Sequence, residues 1–342
     1  MSMAPETTER KQAAGRQASL RLWRWPLVLS LIPLLTLSFV FAATATRSNA
    51  SAAVEPDSLG PDIARGLKSF NKVSLGGGFV ETLYSADSSN QPQTLAVRVD
   101  AAAMNSLPTT PVQDGQTCFD KTGAGIDLAT DCASGHERDL WFPKLSGLPF
   151  QWLMFNWQAH GHGPAHVFDK PHFDMHFFIQ DFTERNRIRT GPCNLVINCD
   201  DEATAQKPVP APYAPEGWGM PGAAGRMGNH IIDPNAAPAN GGPFTQAFAY
   251  GTWDGHISFW EPVINRDWVV SAKPSECRAV PQTPAVELTG FYPTQMCTRY
   301  GTNGDLTFTL ENFVKRTAPA GAQPPAWAGG ATQANGSATH SH

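Results

Sequence analysis

The part of this sequence best equipped for chemistry is a cluster of histidines in its central region. Five of the ten histidines lie between positions 160 and 176, and His172, Asp174 and His176 occupy alternate positions. Because successive side chains of a β-strand point to opposite faces, these three would share one face. The positions between and after them are apolar: Phe173, Met175, Phe177 and Ile179. Imidazole and carboxylate groups on one face commonly form a metal site or an acid/base pair. The sequence therefore predicts a strand with one core side and one chemically active side.

Three more residues complete the candidate set. His162 lies in a glycine-flanked loop, where backbone freedom lets its side chain reach a neighbouring strand. His230 follows a proline-rich stretch, and Glu261 lies on a predicted strand. Alternation places Glu261 on the same apolar face as Ile257 and Phe259. Since an unpaired buried carboxylate costs several kcal/mol, Glu261 is expected to have a cation, a metal ion or a hydrogen-bond donor as partner, unless it lies at an exposed strand end.

These residues predict a site for a divalent metal ion with nitrogen and oxygen donors. The predicted ligands are His162, His172, His176, His230 and Glu261. Asp174 is the candidate general base, or the residue that orients a ligating histidine. With no thiolate in the set, zinc is favoured, and manganese, iron and nickel remain admissible. Neither H-E-x-x-H nor G-x-S-x-G occurs in the sequence, so no reaction motif narrows the chemistry.

The elements that must position these residues are predicted to be β-strands. Charged residues make up only 16% of the chain, which contains 30 glycines and 29 prolines, a composition that favours strands and turns over helices. Two hairpins are indicated, at 79–99 and at 244–261, the second with an Asp-Gly turn. We predict a mostly β fold with an antiparallel sheet, sandwich or barrel-like, with long loops and few short helices.

The N-terminus predicts export. A basic segment precedes the uncharged apolar run 26–43, which ends in an A-x-A site, as in a secretory signal peptide. A retained membrane anchor is the alternative, although the run is slightly short for a span of about 20 residues. We predict a signal peptide at 1–45, a flexible linker at 46–66, a single β-rich domain at 67–316 with a proline-rich connection near 203–225, and a disordered tail at 317–342. The mature protein would be periplasmic or secreted, with no stable membrane span after cleavage.

The six cysteines agree with an oxidising compartment. They fall into three local pairs along the chain: Cys118 with Cys132, Cys193 with Cys199, and Cys277 with Cys297. Sequence alone allows 15 pairings, and three local disulfides are the simplest of them in an exported protein. A zinc–thiolate site is the alternative, but no C-x-x-C pair is present. The net charge of −5 without basic clusters argues against nucleic acid as a partner.

Four separated motifs carry a resemblance to a family of exported bacterial proteins of unknown function. They are Trp157-x-x-x-Gly161-His162-x-Pro164, His172-Phe173-Asp174-x-His176-Phe177, Met227-Gly228-x-His230 and Phe259-x-Glu261-Pro262. The resemblance covers roughly 67–265 and supplies no reaction. It implies a β-rich fold in which His162, His172, Asp174, His176, His230 and Glu261 form one recurrent set. The chain departs from the pattern at Phe178, where the family tends to have tyrosine, and in the loop before Gly161, where the family tends to have a proline.

Three functions remain open on the sequence. The first is a metal-dependent exported hydrolase that cleaves an ester, amide or lactone bond in a small substrate. The second is a non-catalytic envelope or secreted binding protein with a structural histidine cluster, which holds a metal ion or a small-molecule ligand. The third is a structural oligomer in which His172 and His176 are hydrogen-bonded core residues and Asp174 orients one of the rings.

Overall fold

The computed structural model describes residues 59–109, 135–163 and 166–329 of the chain. The strands in these ranges are β1 (Lys68–Leu75), β2 (Gly78–Ala86), β3 (Pro92–Val99), β4 (His136–Trp141), β5 (Trp152–Gln158), β6 (His172–Phe178), β7 (Ala223–Ala224), β8 (Gly228–Ile232), β9 (Gln246–Trp253), β10 (His256–Asn265), β11 (Ser275–Ala279), β12 (Gly290–Tyr300) and β13 (Leu306–Arg316). The α-helices are α1 (Ala101–Met104), α2 (Phe182–Arg185), α3 (Cys199–Ala205) and α4 (Arg266–Ala272), none longer than seven residues in the described part of the chain.

The strands form two sheets. One has six strands in the order β1-β2-β3-β13-β12-β11, and the other has seven in the order β4-β5-β6-β10-β9-β8-β7. Neighbouring strands in both sheets run antiparallel. The predicted mostly β, antiparallel fold with few short helices is therefore confirmed.

The main core lies between the two sheets. Phe173, Met175 and Phe177 of β6 all belong to it, as the alternation in the sequence predicts. The ring of Phe177 lies 6.2 Å from the ring of Phe308 on the six-stranded sheet. Each fully buried side chain of this size contributes about 1.5–3 kcal/mol relative to an exposed one. This burial fixes the register of β6, because a slip by one residue would bring the polar side chains of the strand into the core.

Strand β10 departs from the predicted alternation. A β-bulge between Ile257 and Phe259 shifts the register against β9, and such a bulge places two residues opposite one. Ile257 consequently packs in the core between the sheets, whereas Phe259 lies in a separate apolar cluster on the opposite face of the seven-stranded sheet. The prediction that Ile257 and Glu261 share a face is therefore wrong, and Glu261 faces the same side as Phe259.

A tight turn closes the hairpin that carries Glu261. Asp254 and Gly255 connect β9 to β10, and both have positive φ angles, 54° and 81°. A two-residue turn with two positive φ angles matches the twist of the flanking strands. Glycine adopts such angles without steric cost, and aspartate tolerates them better than most residues. The hairpin places Glu261 directly across from Ala249.

Residues 181–227, here called the covering segment, contact the opposite face of the seven-stranded sheet and include its edge strand β7. Val196, Ala224 and Met227 of this segment form an apolar cluster with the sheet residues Trp152 and Phe178. The proline-rich connection predicted near 203–225 contributes to both sides: Val209, Ala214, Trp218 and Met220 pack against the main core, and Pro221 and Gly222 line a cavity on the opposite face. Because α2 and α3 are only four and seven residues long, the segment depends on contacts with the sheet for its conformation.

A buried arginine attaches the covering segment to the edge of the sheet. Arg185 is fully buried and forms ion pairs with Asp139 and with Glu137, the latter at 3.2 Å. Its guanidinium also lies 4.6 Å from the ring centre of Trp152. Arg226, at the other end of the segment, binds Glu137 at 2.6 Å. Both ends of the covering segment therefore meet the same two carboxylates of β4.

Two of the predicted disulfides are confirmed, Cys193–Cys199 and Cys277–Cys297. The third predicted pair, Cys118 with Cys132, lies outside the described residues, as does the predicted signal peptide at 1–45. Short 3-10 turns occur at Ile63–Gly66 and Ala326–Gly329, within the stretches predicted as linker and tail. Among the described residues, no helix has the length and apolar character needed to cross a membrane.

Candidate metal centre

Two neighbouring strands present the polar side chains of the candidate site. His172, Asp174 and His176 alternate along β6 on the face opposite the main core. Asp174 is paired with Val263 and Phe177 with Trp260 on β10, and this register brings Glu261 alongside His176. The strand β6 is buried on both faces. The imidazoles and carboxylates therefore lie beneath the covering segment, where water competes poorly for them.

Three of the six residues converge at one end of β6. The Nε2 atoms of His162 and His172 lie 3.1 Å apart. The Oδ1 atom of Asp174 is 3.1 Å from His172 Nε2, and its Oδ2 atom is 3.4 Å from His162 Nε2. His162 reaches this position from a loop in which Gly161 has a φ of 74°. An added Cβ at Gly161 would lie 2.3 Å from the carbonyl oxygen of Phe168, so the close turn requires glycine.

The other three residues converge further along the same face. The Nε2 atom of His176 lies 3.2 Å from Glu261 Oε1, and that of His230 lies 3.6 Å from Glu261 Oε2. The ring of Phe259 packs against both histidines, at 4.9 Å from His176 and 5.5 Å from His230. That ring occupies the space above Gly251, where any Cβ would clash with it at 2.1 Å. Gly251 thus makes room for the aromatic ring that positions the two imidazoles.

The four histidines share one hydrogen-bonding arrangement. Each Nδ1 atom lies near a backbone carbonyl oxygen: His162 near Gly163 (2.7 Å), His172 near Lys170 (2.6 Å), His176 near Met154 (3.0 Å) and His230 near Gly222 (3.3 Å). A carbonyl only accepts, so each Nδ1 must donate its proton. The lone pair of each neutral ring is then on Nε2, the atom that points into the site. Metal-ligating histidines typically have this arrangement, because the outer hydrogen bond fixes tautomer and ring orientation.

The site contains buried polar atoms that lack a hydrogen-bond partner. Asp174 Oδ1 and His176 Nε2 are both in this state. If Nδ1 holds the proton in each neutral ring, the Nε2 lone pairs of His162 and His172 face each other and a carboxylate at about 3 Å. Such an arrangement is repulsive unless a proton or a cation lies between the atoms. A metal ion would satisfy every one of these atoms.

The pKa values of the site residues also indicate that the site stabilises positive charge. Burial lowers the pKa of His162 and of His176, but the neighbouring carboxylates Asp174 and Glu261 outweigh burial, so both pKa values lie above the usual value. Burial raises the pKa of Asp174, yet His172 and His162 hold it well below its usual range. Burial lowers the pKa of His230, and Glu261 does not fully offset this effect. The two carboxylates thus stabilise positive charge at this place.

A cavity of about 60 Å³ opens beside the two groups. Five of the six residues line it: His162, Asp174, His176, His230 and Glu261. The covering segment supplies another wall, which includes Leu195, Gly222 and Met227. A small molecule in this cavity would therefore contact both groups at once.

The structure brings together all the ligands that the sequence predicts, but it places them in two separate sets and not around one ion. Two sets of three residues can each hold an ion, with ligand atoms within 4.8 Å of one another: His162, His172 and Asp174 in the first, and His176, His230 and Glu261 in the second. The sequence predicts one ion with Asp174 beside it, whereas here Asp174 is a member of the first set. His160 and His166 lie outside both sets, and the side chain of His166 is 94% exposed.

The chain matches no protein-family model, no curated protein and no solved structure.

Proposed function

We propose that this protein is an exported metal-binding protein that holds one divalent ion at each of the two sets and hydrolyses a small substrate in the cavity beside them. Zinc is the favoured ion, because two imidazoles and one carboxylate are the ligands of several zinc hydrolases. Manganese, iron and nickel accept the same donors. The two disulfides support export, since such bonds persist in oxidising compartments.

The strongest support for this proposal is the convergence of the histidines and carboxylates. Four Nε2 lone pairs and two carboxylates converge as two sets of three, and backbone carbonyls hold every ring in the ligating tautomer. Ordinary core histidines would also hydrogen-bond through Nδ1, but their other polar atoms would be paired as well, whereas here Asp174 Oδ1 and His176 Nε2 lack a partner. The arrangement therefore favours metal binding over the structural oligomer.

Three protein ligands favour catalysis over a purely structural role. Structural zinc sites are closed by four protein ligands, whereas catalytic sites keep a position for water or substrate. An ion bound by either set would supply Lewis acidity and lower the pKa of a water molecule toward 7. Asp174 would hold the ion of the first set through one carboxylate oxygen, and its second oxygen could accept the proton of that water.

The burial of the strand ligands favours the second candidate, a non-catalytic metal-binding protein. His172 is 0% exposed and His176 only 1%, and deep burial is typical of ions that stabilise a fold. In that case the ions would raise stability, and the cavity would bind a ligand without turnover.

Hydrolysis of aryl and alkyl esters, amides and lactones by the metal-free and the zinc-loaded protein tests the proposal. We expect zinc to confer activity and Glu261→Gln to remove most of it. Glu287→Gln is the matched control, because Glu287 forms a partly buried pair with His256 at 2.7 Å outside the site, and this variant should keep activity. Bound zinc without turnover of any of these substrates would leave the non-catalytic candidate, and absence of bound metal would refute both.

A further inference from the structure

The cavity beside the two metal sets combines apolar walls with an absence of basic side chains. Its apolar lining includes Leu195, Met227, Ile232 and Val263. Among the described residues, no lysine or arginine lines it. Its carboxylates, Asp174 and Glu261, are paired with His162 and His176, so the protein groups alone offer an anion no unpaired positive charge and only hydrocarbon surface to the rest of a ligand.

Loading both sets with metal reverses the sign of the charge. Each divalent ion meets two neutral imidazoles and one carboxylate, so each loaded set retains a net charge of about +1. This charge is partly buried and has no further counter-ion among the cavity-lining residues. A ligand that enters the loaded cavity should therefore be anionic at the end that meets the ions and apolar at the other end.

The size of the cavity limits the length of that ligand. A volume of about 60 Å³, at roughly 10–15 Å³ for each water-sized unit, accommodates roughly four to six non-hydrogen atoms. Acetate has four such atoms and butyrate has six. The cavity is open on one side, so the end of a longer acid would extend beyond this space and gain no further apolar contact there.

On these grounds we infer that the cavity recognises short aliphatic carboxylates of two to four carbons, and that its substrates are esters or amides of these acids. The inference rests on the proposed function. Hydrolysis of such an ester transfers the oxygen of water to the acyl carbon and breaks the acyl carbon–oxygen bond. One proton of the water passes to the leaving alkoxide, the other is released to solvent, and the short carboxylate remains at the positive ions as product.

Binding of simple acids to the cobalt-loaded full chain tests this inference without any substrate. Cobalt(II) takes the same ligands as zinc, and its absorption bands report a change in coordination. Acetate, propionate, butyrate and hexanoate are titrated beside neutral butyramide and cationic butylamine. We expect affinity to rise about fourfold with each methylene from acetate to butyrate, the gain for burying one methylene, and no further gain for hexanoate. Butyramide and butylamine should leave the bands unchanged.

A pair of variants on strand β9 separates cavity binding from general anion binding. Ala249 lines the cavity, and Ala249→Leu should fill the space for the aliphatic chain while both ions remain bound. Butyrate would then bind no better than acetate. Ala247→Leu is the matched control, because Ala247 lies two residues away on the same strand and does not line the cavity. This variant should show the same rise in affinity from acetate to butyrate as the wild type.

The outcomes distinguish the inference from the proposal on which it rests. If cobalt binds but affinity is independent of chain length, or butyramide binds as well as butyrate, the inference is overturned and the metal sites stand. If no cobalt binds, the proposed function fails and the inference fails with it. A fourfold gain in affinity per methylene in the wild type would support both the metal sites and the inference, provided that Ala249→Leu loses this gain and Ala247→Leu keeps it.

Discussion

Replacing Gly222 with alanine should weaken the binding of one metal ion and leave the other unaffected. The carbonyl oxygen of Gly222 accepts the Nδ1 proton of His230 and so holds that ring in its ligating orientation. An added Cβ at position 222 would lie 2.7 Å from Leu195 Cγ and 2.8 Å from Asn194 Oδ1. The Asn194 side chain accepts hydrogen bonds from the backbone amides of Leu195 and Ala223. Because Asn194 is held in place, the backbone at 222 is the part that must move.

The size of the effect follows from these distances. Ordinary contact begins near 3.4 Å, so the clash requires a displacement of roughly 0.6–0.7 Å. The Nδ1 to carbonyl distance is already 3.3 Å, at the long end of N–H···O hydrogen bonds, which usually span about 2.7–3.2 Å. The displacement would break this bond. Loss of such an outer partner typically lowers metal affinity about 10- to 100-fold, which corresponds to about 1.4–2.7 kcal/mol.

Competition between the metal-free protein and a chelator for zinc measures this change. The Gly222→Ala protein should show one affinity reduced by that factor, at the set containing His230, and one affinity equal to the wild type. Gly219→Ala is the matched control in the same stretch of chain, since an added Cβ at Gly219 meets nothing within 4 Å. Two unchanged affinities in Gly222→Ala, or equal loss of both, would refute the reasoning.

Three further predictions concern the covering segment and the ligands. Arg185→Ala should lower the free energy of unfolding, measured by urea denaturation, by about 3–5 kcal/mol, because it removes the buried partner of Glu137 and Asp139. Arg187→Ala is the control: it breaks an exposed pair and should lower the free energy of unfolding by less than about 1 kcal/mol. Removal of the Cys193–Cys199 disulfide, which spans six residues, should cost about 2 kcal/mol, and a loss of more than twice that would mean the bond does more than restrain the unfolded chain. Acidification should weaken the binding of both ions, because protons compete for the imidazoles. One histidine of each set has a raised pKa, so the zinc affinity should begin to fall at a higher pH than for ordinary imidazoles; equal zinc affinities at pH 7 and pH 5 would contradict this.

Much of the site could be predicted from local spacing. The alternation of His172, Asp174 and His176 predicts one shared face, and the intervening apolar residues pack in the main core as expected. The Asp-Gly turn likewise predicts the hairpin that carries Glu261. These features depend on the two-residue period of a strand, which is a local property of the chain.

The rest depends on contacts between distant segments. The bulge before Phe259 changes which neighbours share a face with Glu261, and nothing in the alternation of apolar residues indicates it. The covering segment contributes Gly222, whose carbonyl group binds His230, and a glycine in a proline-rich stretch does not by itself indicate that role. The division of the six residues into two sets likewise depends on where His162, which precedes β6 in the chain, and His230, which follows it, contact the strand. Sequence spacing alone does not indicate these contacts.

Metal content tests the central claim most directly. Elemental analysis of untagged wild-type protein should show close to two ions per chain, one for each set. His172→Ala and His176→Ala should each retain close to one, and His256→Ala, which alters a paired histidine outside both sets, should retain two. Wild-type protein without bound metal, or a single ion that either site variant abolishes, would contradict the account.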